Sequence, residues 1–469
     1  MINLSLIDIA QQVNGTLQGN DLIITNVSTD TREIGADSLF IALVGPNFNG
    51  HVFANEARQN GAVAMIASEP VEAHMPVIMV EDTKAALGAL GAYVKQKVAP
   101  KTVGITGSSG KTTVKEMATA ILKECGSVLS TQGNFNNDIG VPLTLLRLEA
   151  EHEYAVIEMG ANHIGEIAYT TGLVKPDVAT IVNAAASHLE GFGSLFGVAR
   201  AKSEIFKGLS KSGTAILNYD SQFYDFWLGK LDNELIYSFS LNSAPGKGAD
   251  YSASQVGLAF NGCAHFIMHT PIGEMNIELT LPGMHNVGNA LLAAALSINV
   301  GASLENVRDG LAKMQHVKGR LEVKQLSEKV RLLDDSYNAN VASVTAAIKL
   351  LSSYEGRRVL VLGDMAELGD QARHYHEQVG ELAKSESIEM FYTLGELSKS
   401  ASDMFGEGGQ HFSHIEPLLD ALYKELYAND NEFTILVKGS RSSRMDRVVT
   451  AIEGAPLSNA QHYGGFTEC

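Results

Sequence analysis

The run Thr106-Gly107-Ser108-Ser109-Gly110-Lys111-Thr112-Thr113 carries the densest chemistry in the sequence. Glycines in such a turn let backbone N–H groups converge on phosphate oxygens, and a helix N-terminus adds its positive end. Lys111 is spaced to reach the β- and γ-phosphates, and a threonine hydroxyl is spaced to bind Mg²⁺. The common phosphate loop has another glycine five residues before the glycine of its Gly-Lys pair; that position is Ile105, which leaves the shorter GxxGKTT form. The bland alternative is an ordinary glycine-rich turn between strand and helix. Glu158 ends the apolar run Tyr154–Glu158 beside Met159-Gly160. A carboxylate there faces the crevice where open α/β sheets bind ligands, and Mg²⁺ favours a few carboxylates with phosphate oxygens and water. Its plain alternative is a strand-end acid paired with an arginine. His188, in Asn183–Glu190, reads by itself as a turn residue, and Lys202, in Ala201-Lys202-Ser203-Glu204, as a solvated helix lysine.

These residues need a scaffold. Val103–Thr106 reads as a buried strand, and a helix starts from Thr112, with Val114, Met117, Ala118, Ile121 and Leu122 on one face. Strands are expected at Tyr154–Glu158 and Val178–Val182, a β-rich stretch over Asp250–Leu281, and a helix over Asn286–Ser297. Upstream, Met1–Val13 has helical spacing. Strand-like runs follow at Leu22–Ile24, Leu39–Leu43, Val63–Ile66 and Val77–Val80, then a helix over Thr83–Val98 before Pro100. Downstream, the runs Arg331–Asp335, Arg358–Gly363, Met390–Leu394 and Thr434–Lys438 alternate with helical Ser343–Leu351, His376–Ala383 and Ile415–Tyr427. Such alternation predicts mostly parallel sheets covered by helices. The fold class is therefore α/β with three domains: a small N-terminal α/β unit (1–82), a central P-loop unit with a mostly parallel sheet (83–315) and a C-terminal Rossmann-like α/β unit (316–469).

At 469 residues, the chain has room for three domains. It carries 53 acidic and 35 basic side chains, a formal charge of −18. That balance argues against a nucleic-acid partner, which wants a basic face. Cys125, Cys263 and Cys469 lack metal or redox spacing. The N-terminus has no basic start, and Asp8 interrupts its apolar run, so no secretory signal is expected. No apolar run approaches the roughly 18 residues needed to cross a bilayer. A cytoplasmic protein without membrane insertion is expected.

The loop GSSGKTTVKEM resembles that of the Mur ligases, the ATP-dependent amide-bond ligases of peptidoglycan precursor synthesis. The resemblance extends over nearly the whole chain. It is carried by Thr131–Asn137 with Gly140 and Pro142, by Glu158-Met159-Gly160, by Leu281–Asn286 with Asn289 and by Lys318–Glu322. The segments DDSYNAN (Asp334–Asn340), LGDMAELG (Leu362–Gly369) and KGSR (Lys438–Arg441) are similar to the branch that adds D-alanyl-D-alanine; the DNPR motif expected of the diaminopimelate-adding branch does not occur.

The resemblance implies site roles. Gly107, Ser108, Ser109, Gly110, Lys111, Thr112 and Thr113 would bind ATP phosphates. Thr112 and Glu158 would hold one Mg²⁺ and His188 a second. Lys202 matches a lysine that some Mur ligases carry as a carbamate, an anionic oxygen ligand for Mg²⁺; a plain phosphate-binding ammonium is the alternative. Asn289, one turn after Asn286, would read adenine, Arg320 would touch phosphate and Asp335 would hold the ribose. Lys438 and Arg441 would meet substrate carboxylates or phosphate, or else form surface ion pairs. Ser28, Thr29, Arg32 and Asn47 lie in segments similar to the part that holds the UDP-sugar substrate.

The implied reaction is ATP-dependent ligation of D-alanyl-D-alanine to UDP-N-acetylmuramoyl-tripeptide through an acyl phosphate, by a monomer. A sister ligase, including a folylpolyglutamate synthase type, a P-loop kinase and a nucleotide-switched binding protein remain as alternatives at this level.

Overall fold

The computed structural model describes residues 1–232, 235–315, 317–428 and 431–455; Cys469 and the last residues of the expected third unit lie outside them. Three helix-covered sheets organise the chain, as expected. In the first, Thr16–Gln18 pairs antiparallel with Val77–Met79. Ala62–Ala67, Ser38–Ile41 and Asn26–Ser28 then follow in parallel. The start of the chain departs from the expected continuous helix. Leu4–Ser5 pairs as a short strand with Ile23–Ile24, and the helix runs only over Leu6–Gln12. Ser5 explains the break, because its hydroxyl accepts from the Asp8 N–H as an N-cap.

The helix Thr83–Val98 forms over the expected residues. Asp82 caps its start by accepting from the N–H groups of Lys84 and Ala85, and Ala99 at φ 52° with Pro100 ends it. Its buried Leu87, Leu90 and Val94 join one hydrophobic core that also contains Ile78 from the first sheet, Ile9 from the helix beside it, Ile157 and Ile181 from the second sheet, and Leu145 from the helix Gly140–Leu145. Apolar packing is thus continuous across residue 82.

The central sheet is six-stranded and all parallel, in the order Val128–Ser130, Tyr154–Glu158, Lys101–Thr106, Val178–Ile181, Thr214–Asn218, Leu235–Phe239. Its earliest strand, Lys101–Thr106, lies inside the sheet, so chain connections diverge to either side at its carboxyl end. That switch point is where such sheets leave a crevice. The β-rich stretch becomes a separate three-stranded antiparallel sheet, Ser252–Leu258, Cys263–Thr270 and Gly273–Pro282.

The third sheet orders Glu322–Gln325, Val330–Asp335, Phe433–Lys438, Arg357–Gly363, Met390–Leu394 and Gly409–Phe412, with only the first pair antiparallel. Two hydrophobic clusters cover its faces, one around Leu333, Leu351 and Phe391, the other around Leu332, Ile435 and Leu422. Neither includes residues of the first two sheets, so this unit carries its own cores.

Candidate active site

Strand register places the first charged groups. Ile105 pairs with Glu158, so the acid lies beside the start of the glycine-rich turn. The helix Lys111–Lys123 begins directly after that turn, one residue earlier than expected. Gly110 has φ 76°, and a Cβ there would meet Asn289 Oδ1 at 3.1 Å and Val182 Cγ1 at 3.3 Å. The turn therefore needs glycine for both backbone conformation and space. Neighbouring strands brace it. Ser108 Oγ donates to the Ala185 carbonyl at 3.0 Å, and the Ser109 N–H donates to Asn183 Oδ1 at 3.0 Å.

Lys111 bends back so that Nζ donates to the Gly107 carbonyl at 2.8 Å. Loss of hydration holds its ammonium below the usual lysine range against the pull of Glu158, and Arg320 adds to the depression. Glu158 is buried, and among the described residues no arginine pairs with it. Thr112 Oγ1 donates to its Oε2 at 3.0 Å and Asn136 Nδ2 to its Oε1 at 2.8 Å, while its own N–H donates to Thr131 Oγ1. Hydroxyl and carboxylate oxygens beside a phosphate cradle suit Mg²⁺, which takes its remaining ligands from phosphate and water. Among the described residues no group of three or more His, Cys, Asp or Glu side chains gathers to hold a metal alone.

Opposite the loop stands the third sheet. Register sets Asp335 beside Lys438 at the carboxyl ends of adjacent strands. Their side chains form a buried ion pair, and Lys438 Nζ also donates to the Asn338 carbonyl at 2.9 Å. The surface-pair reading of Lys438 is thereby excluded. Burial pushes the Asp335 carboxyl up and the Lys438 ammonium down, each partly offset by the other's charge. A cavity of about 300 Å³ separates this pair from the loop. Ser108, Ser109, Gly110, Lys111, Thr112, Thr113, Asn289, Arg320, Asp335 and Lys438 all line it. Asn289 Nδ2 donates to Asn286 Oδ1 at 2.8 Å, and Asn286 Nδ2 to the Pro282 carbonyl at 2.7 Å, so both amides face one side as their spacing required. Hydrogen bonds cross the cleft from Asn340 Nδ2 to the Ser108 carbonyl at 3.2 Å and from an Arg320 guanidinium nitrogen to Thr112 Oγ1 at 3.4 Å.

Several residues in or beside the lining had no role assigned from the sequence. Tyr337 stacks under two guanidinium groups, Arg320 at 4.2 Å and Arg441 at 5.3 Å from its ring centroid. Arg441 itself is exposed, outside the cavity lining. Tyr337, Asn338 and Asn340 all belong to DDSYNAN, so the motif was the signal. His285 was likewise inside a quoted motif. It lines the cavity, and burial with the nearby Lys438 charge pushes its imidazole down to about 4. The folded chain then takes up its proton later than the unfolded chain, whose histidine titrates near 6.5. Stability from neutral His285 is present above pH 6.5 and lost as pH falls toward 4. Thermal unfolding of wild type and His285→Gln across this range should show the wild type losing about 2 kcal/mol relative to the variant between pH 7 and pH 4.5. Parallel pH profiles would refute the assignment.

Lys202 and His188 form a second locality. Lys202 ends the helix Leu195–Lys202, and it is buried, 2 % exposed, not solvated. Burial and the nearby Lys111 charge hold its amine well below the ordinary lysine range. Its Nζ lies 5.9 Å from the Phe192 ring centroid, and that ring meets His188 edge-on at 6.3 Å. His188 adopts φ 51° just before the helix Leu189–Phe192.

Ser28, Thr29, Arg32 and Asn47 lie on the first unit, away from the cavity lining. Ser28 Oγ donates to the Asp30 carbonyl at 2.8 Å, and Arg32 is clasped by the Asp30 carboxylate, which holds that acid down near 2. Asn47 is exposed in the turn between Val44–Gly45 and Phe48–Asn49.

A phosphate loop at a parallel-sheet switch point, facing a second α/β unit across a polar cleft, defines a nucleotide-dependent enzyme that works between domains. The sequence matches the Mur ligase family's catalytic domain over residues 23–95, the Mur ligase middle domain over 105–297 and the Mur ligase glutamate ligase domain over 319–441. It is 48% identical to the UDP-N-acetylmuramoyl-tripeptide–D-alanyl-D-alanine ligase of Escherichia coli K12, over 97% of this chain and 99% of the relative. The fold is similar to a crystal structure of MurF from Acinetobacter baumannii, with TM-score 0.91, 35% identity and 97% and 99% coverage. It is also similar to the Thermotoga maritima MurF ligase in complex with ADP, with TM-score 0.82, 26% identity and 92% and 98% coverage. The chain belongs to the Mur ligase family and is an ATP-dependent ligase.

Proposed function

We propose that this ligase joins D-alanyl-D-alanine to UDP-N-acetylmuramoyl-tripeptide, with ATP and Mg²⁺, in peptidoglycan precursor synthesis. The observation that carries the reading is the near-full-length kinship to the E. coli enzyme of that name, which spans the terminal units where the substrates differ between branches. Residues 1–82 hold the UDP-sugar through Ser28, Thr29, Arg32 and Asn47; residues 83–315 bind ATP; residues 316–469 receive the dipeptide. The loop from Gly107 to Thr113 cradles the triphosphate, Asn289 meets adenine, Asp335 the ribose and Arg320 a phosphate. Lys438 and Arg441 supply positive charge to substrate carboxylates or phosphate. Thr112 and Glu158 would hold one Mg²⁺, and His188, with Lys202 in its carbamate form, a second; the ions would neutralise crowded phosphate charge.

A carboxylate is a poor acyl donor because oxide would have to leave. The tripeptide's terminal carboxylate oxygen attacks the γ-phosphorus of ATP, the bond to the β-bridging oxygen breaks, and ADP leaves. The free amine of D-alanyl-D-alanine then attacks the acyl carbon. Collapse of the tetrahedral intermediate expels inorganic phosphate and leaves the amide after one proton is lost. Lys111 and the loop N–H groups hold the transferred phosphoryl group. Alignment of three reactants in the cleft can supply on the order of 7–11 kcal/mol of the barrier.

No helix among the described residues is long and apolar enough to cross a membrane. The reading places the enzyme in the cytoplasm as a monomer acting on small molecules, and sedimentation at working concentration checks the monomer.

Phosphate release from Mg-ATP across a panel of UDP-muramoyl peptides and amine acceptors tests the function. ADP should form at an appreciable rate only with UDP-muramoyl-tripeptide present, and amide only when D-alanyl-D-alanine is added. Equal ADP formation from ATP alone would make the protein a generic nucleotidase.

A further inference from the structure

His188 meets a residue that has no place in the site described so far. Its Nδ1 stands 2.5 Å from Glu367 Oε2, although the two are not aligned as a regular hydrogen bond. The main chains join as well, since the Leu189 N–H donates to the Glu367 carbonyl at 3.0 Å. Gly369 completes the contact, where an added Cβ would lie 3.6 Å from Glu190 Cγ. Glu367 belongs to the third sheet's unit and His188 to the central one, so this contact exists only while the two units are together.

Both partners hold uncommon backbone conformations, φ 51° at His188 and φ 63° at Glu367. Two non-glycine residues in the left-handed region facing each other mark a place where local conformation is held by its surroundings. The Glu367 loop is braced for this. Asp364, after the strand Arg357–Gly363, accepts from the N–H groups of Glu396 at 3.0 Å and Ser398 at 2.8 Å. Buried His376 accepts the Met365 N–H on Nε2 at 3.0 Å while its Nδ1 faces the Ala372 carbonyl at 2.7 Å. The carboxylate is thus presented on a fixed arm.

We propose that Glu367 is a positioning residue that orients the His188 imidazole when the C-terminal unit closes on the central one. An imidazole nitrogen facing a carboxylate keeps its proton, which leaves the other nitrogen as a lone-pair ligand; metal-bound histidines take this second partner almost without exception. Here the partner comes from another domain, so the histidine is set only after closure, when the dipeptide's unit is in place. Premature γ-phosphoryl transfer in an open, water-filled cleft would waste ATP, and a ligand oriented by closure guards against it. The inference rests on the proposed role of His188 as ligand of the second metal ion.

The test uses the full chain with Mn²⁺ as probe, a non-hydrolysable ATP analogue and UDP-muramoyl-tripeptide. Electron spin echo modulation reports an imidazole nitrogen on Mn²⁺, and titration reports each Mn²⁺ affinity. Wild type should show the modulation, and His188→Ala should abolish it. Glu367→Gln keeps the side chain's size, and Glu367→Gly tolerates the positive φ. Both should weaken the second Mn²⁺ site by about tenfold or more and diminish the modulation, with the phosphate-loop site unchanged. Wild-type modulation and affinity in both Glu367 variants, with the signal lost in His188→Ala, would overturn the positioning role and leave the ligand role standing. Modulation that survives in His188→Ala would remove the ligand role and the positioning role together.

Discussion

Lys111→Ala is expected to lower ligation by at least about a thousandfold in a chain that still folds. The side chain lines the cavity, and its Nζ donates to the Gly107 carbonyl. Truncation removes little buried apolar surface. What it does remove is the cation aimed at the transferred phosphoryl group, in a site whose other loop groups are neutral N–H donors. Burial holds this ammonium below its usual range, so phosphates meet a charge that is only partly hydrated. The check is turnover beside circular dichroism and thermal melting of the same sample. A folded variant that keeps more than about a tenth of wild-type turnover would sink the phosphate-loop assignment, because a lost charge-stabilising donor costs far more than that.

Lys202 gives the second large effect. Lys202→Ala should abolish most activity, and a short carboxylate such as formate or acetate should restore part of it. The environment of Lys202 bears on the choice between carbamate and ammonium. Lys202 is buried, and the like-charged Lys111 acts on it. Desolvation and repulsion both disfavour an ammonium there. A neutral amine is the form that attacks carbon dioxide: the N–C bond forms, one proton leaves, and the product is an anionic carbamate. That anion offers Mg²⁺ an oxygen and Lys111 an opposite charge. Rescue by a carboxylate supports the carbamate. Rescue by a small amine with none by a carboxylate would establish the ammonium, since the two require opposite charges in the vacated space.

Local sequence determined a good deal. The helices Thr83–Val98 and Lys111–Lys123 and the strands Tyr154–Glu158 and Met390–Leu394 follow from periodicity, capping and strand composition, which act within a few residues of one another. The phosphate loop was legible for the same reason, since its glycines, lysine and threonines are contiguous. So was the shared face of Asn286 and Asn289, one helical turn apart. The short strand at Leu4–Ser5 was not legible, because its partner Ile24 and its N-cap decide it against a continuing helical pattern.

Tertiary structure alone decided the environment of each charge. Lys202 read by itself as a solvated helix lysine, and Lys438 as a substrate contact or a surface ion pair, until helix packing and strand register buried them, one near Lys111 and the other against Asp335. Tyr337 had no visible purpose until it stacked beneath Arg320 and Arg441. The approach of Glu367 to His188 joins residues far apart in the chain through the meeting of two separately cored units. Spacing along a chain encodes which backbone hydrogen bonds and apolar stripes can form nearby. The side chains that meet when such elements pack, and the charges that lose their water there, are set by surfaces assembled from distant segments, and no local pattern specifies them.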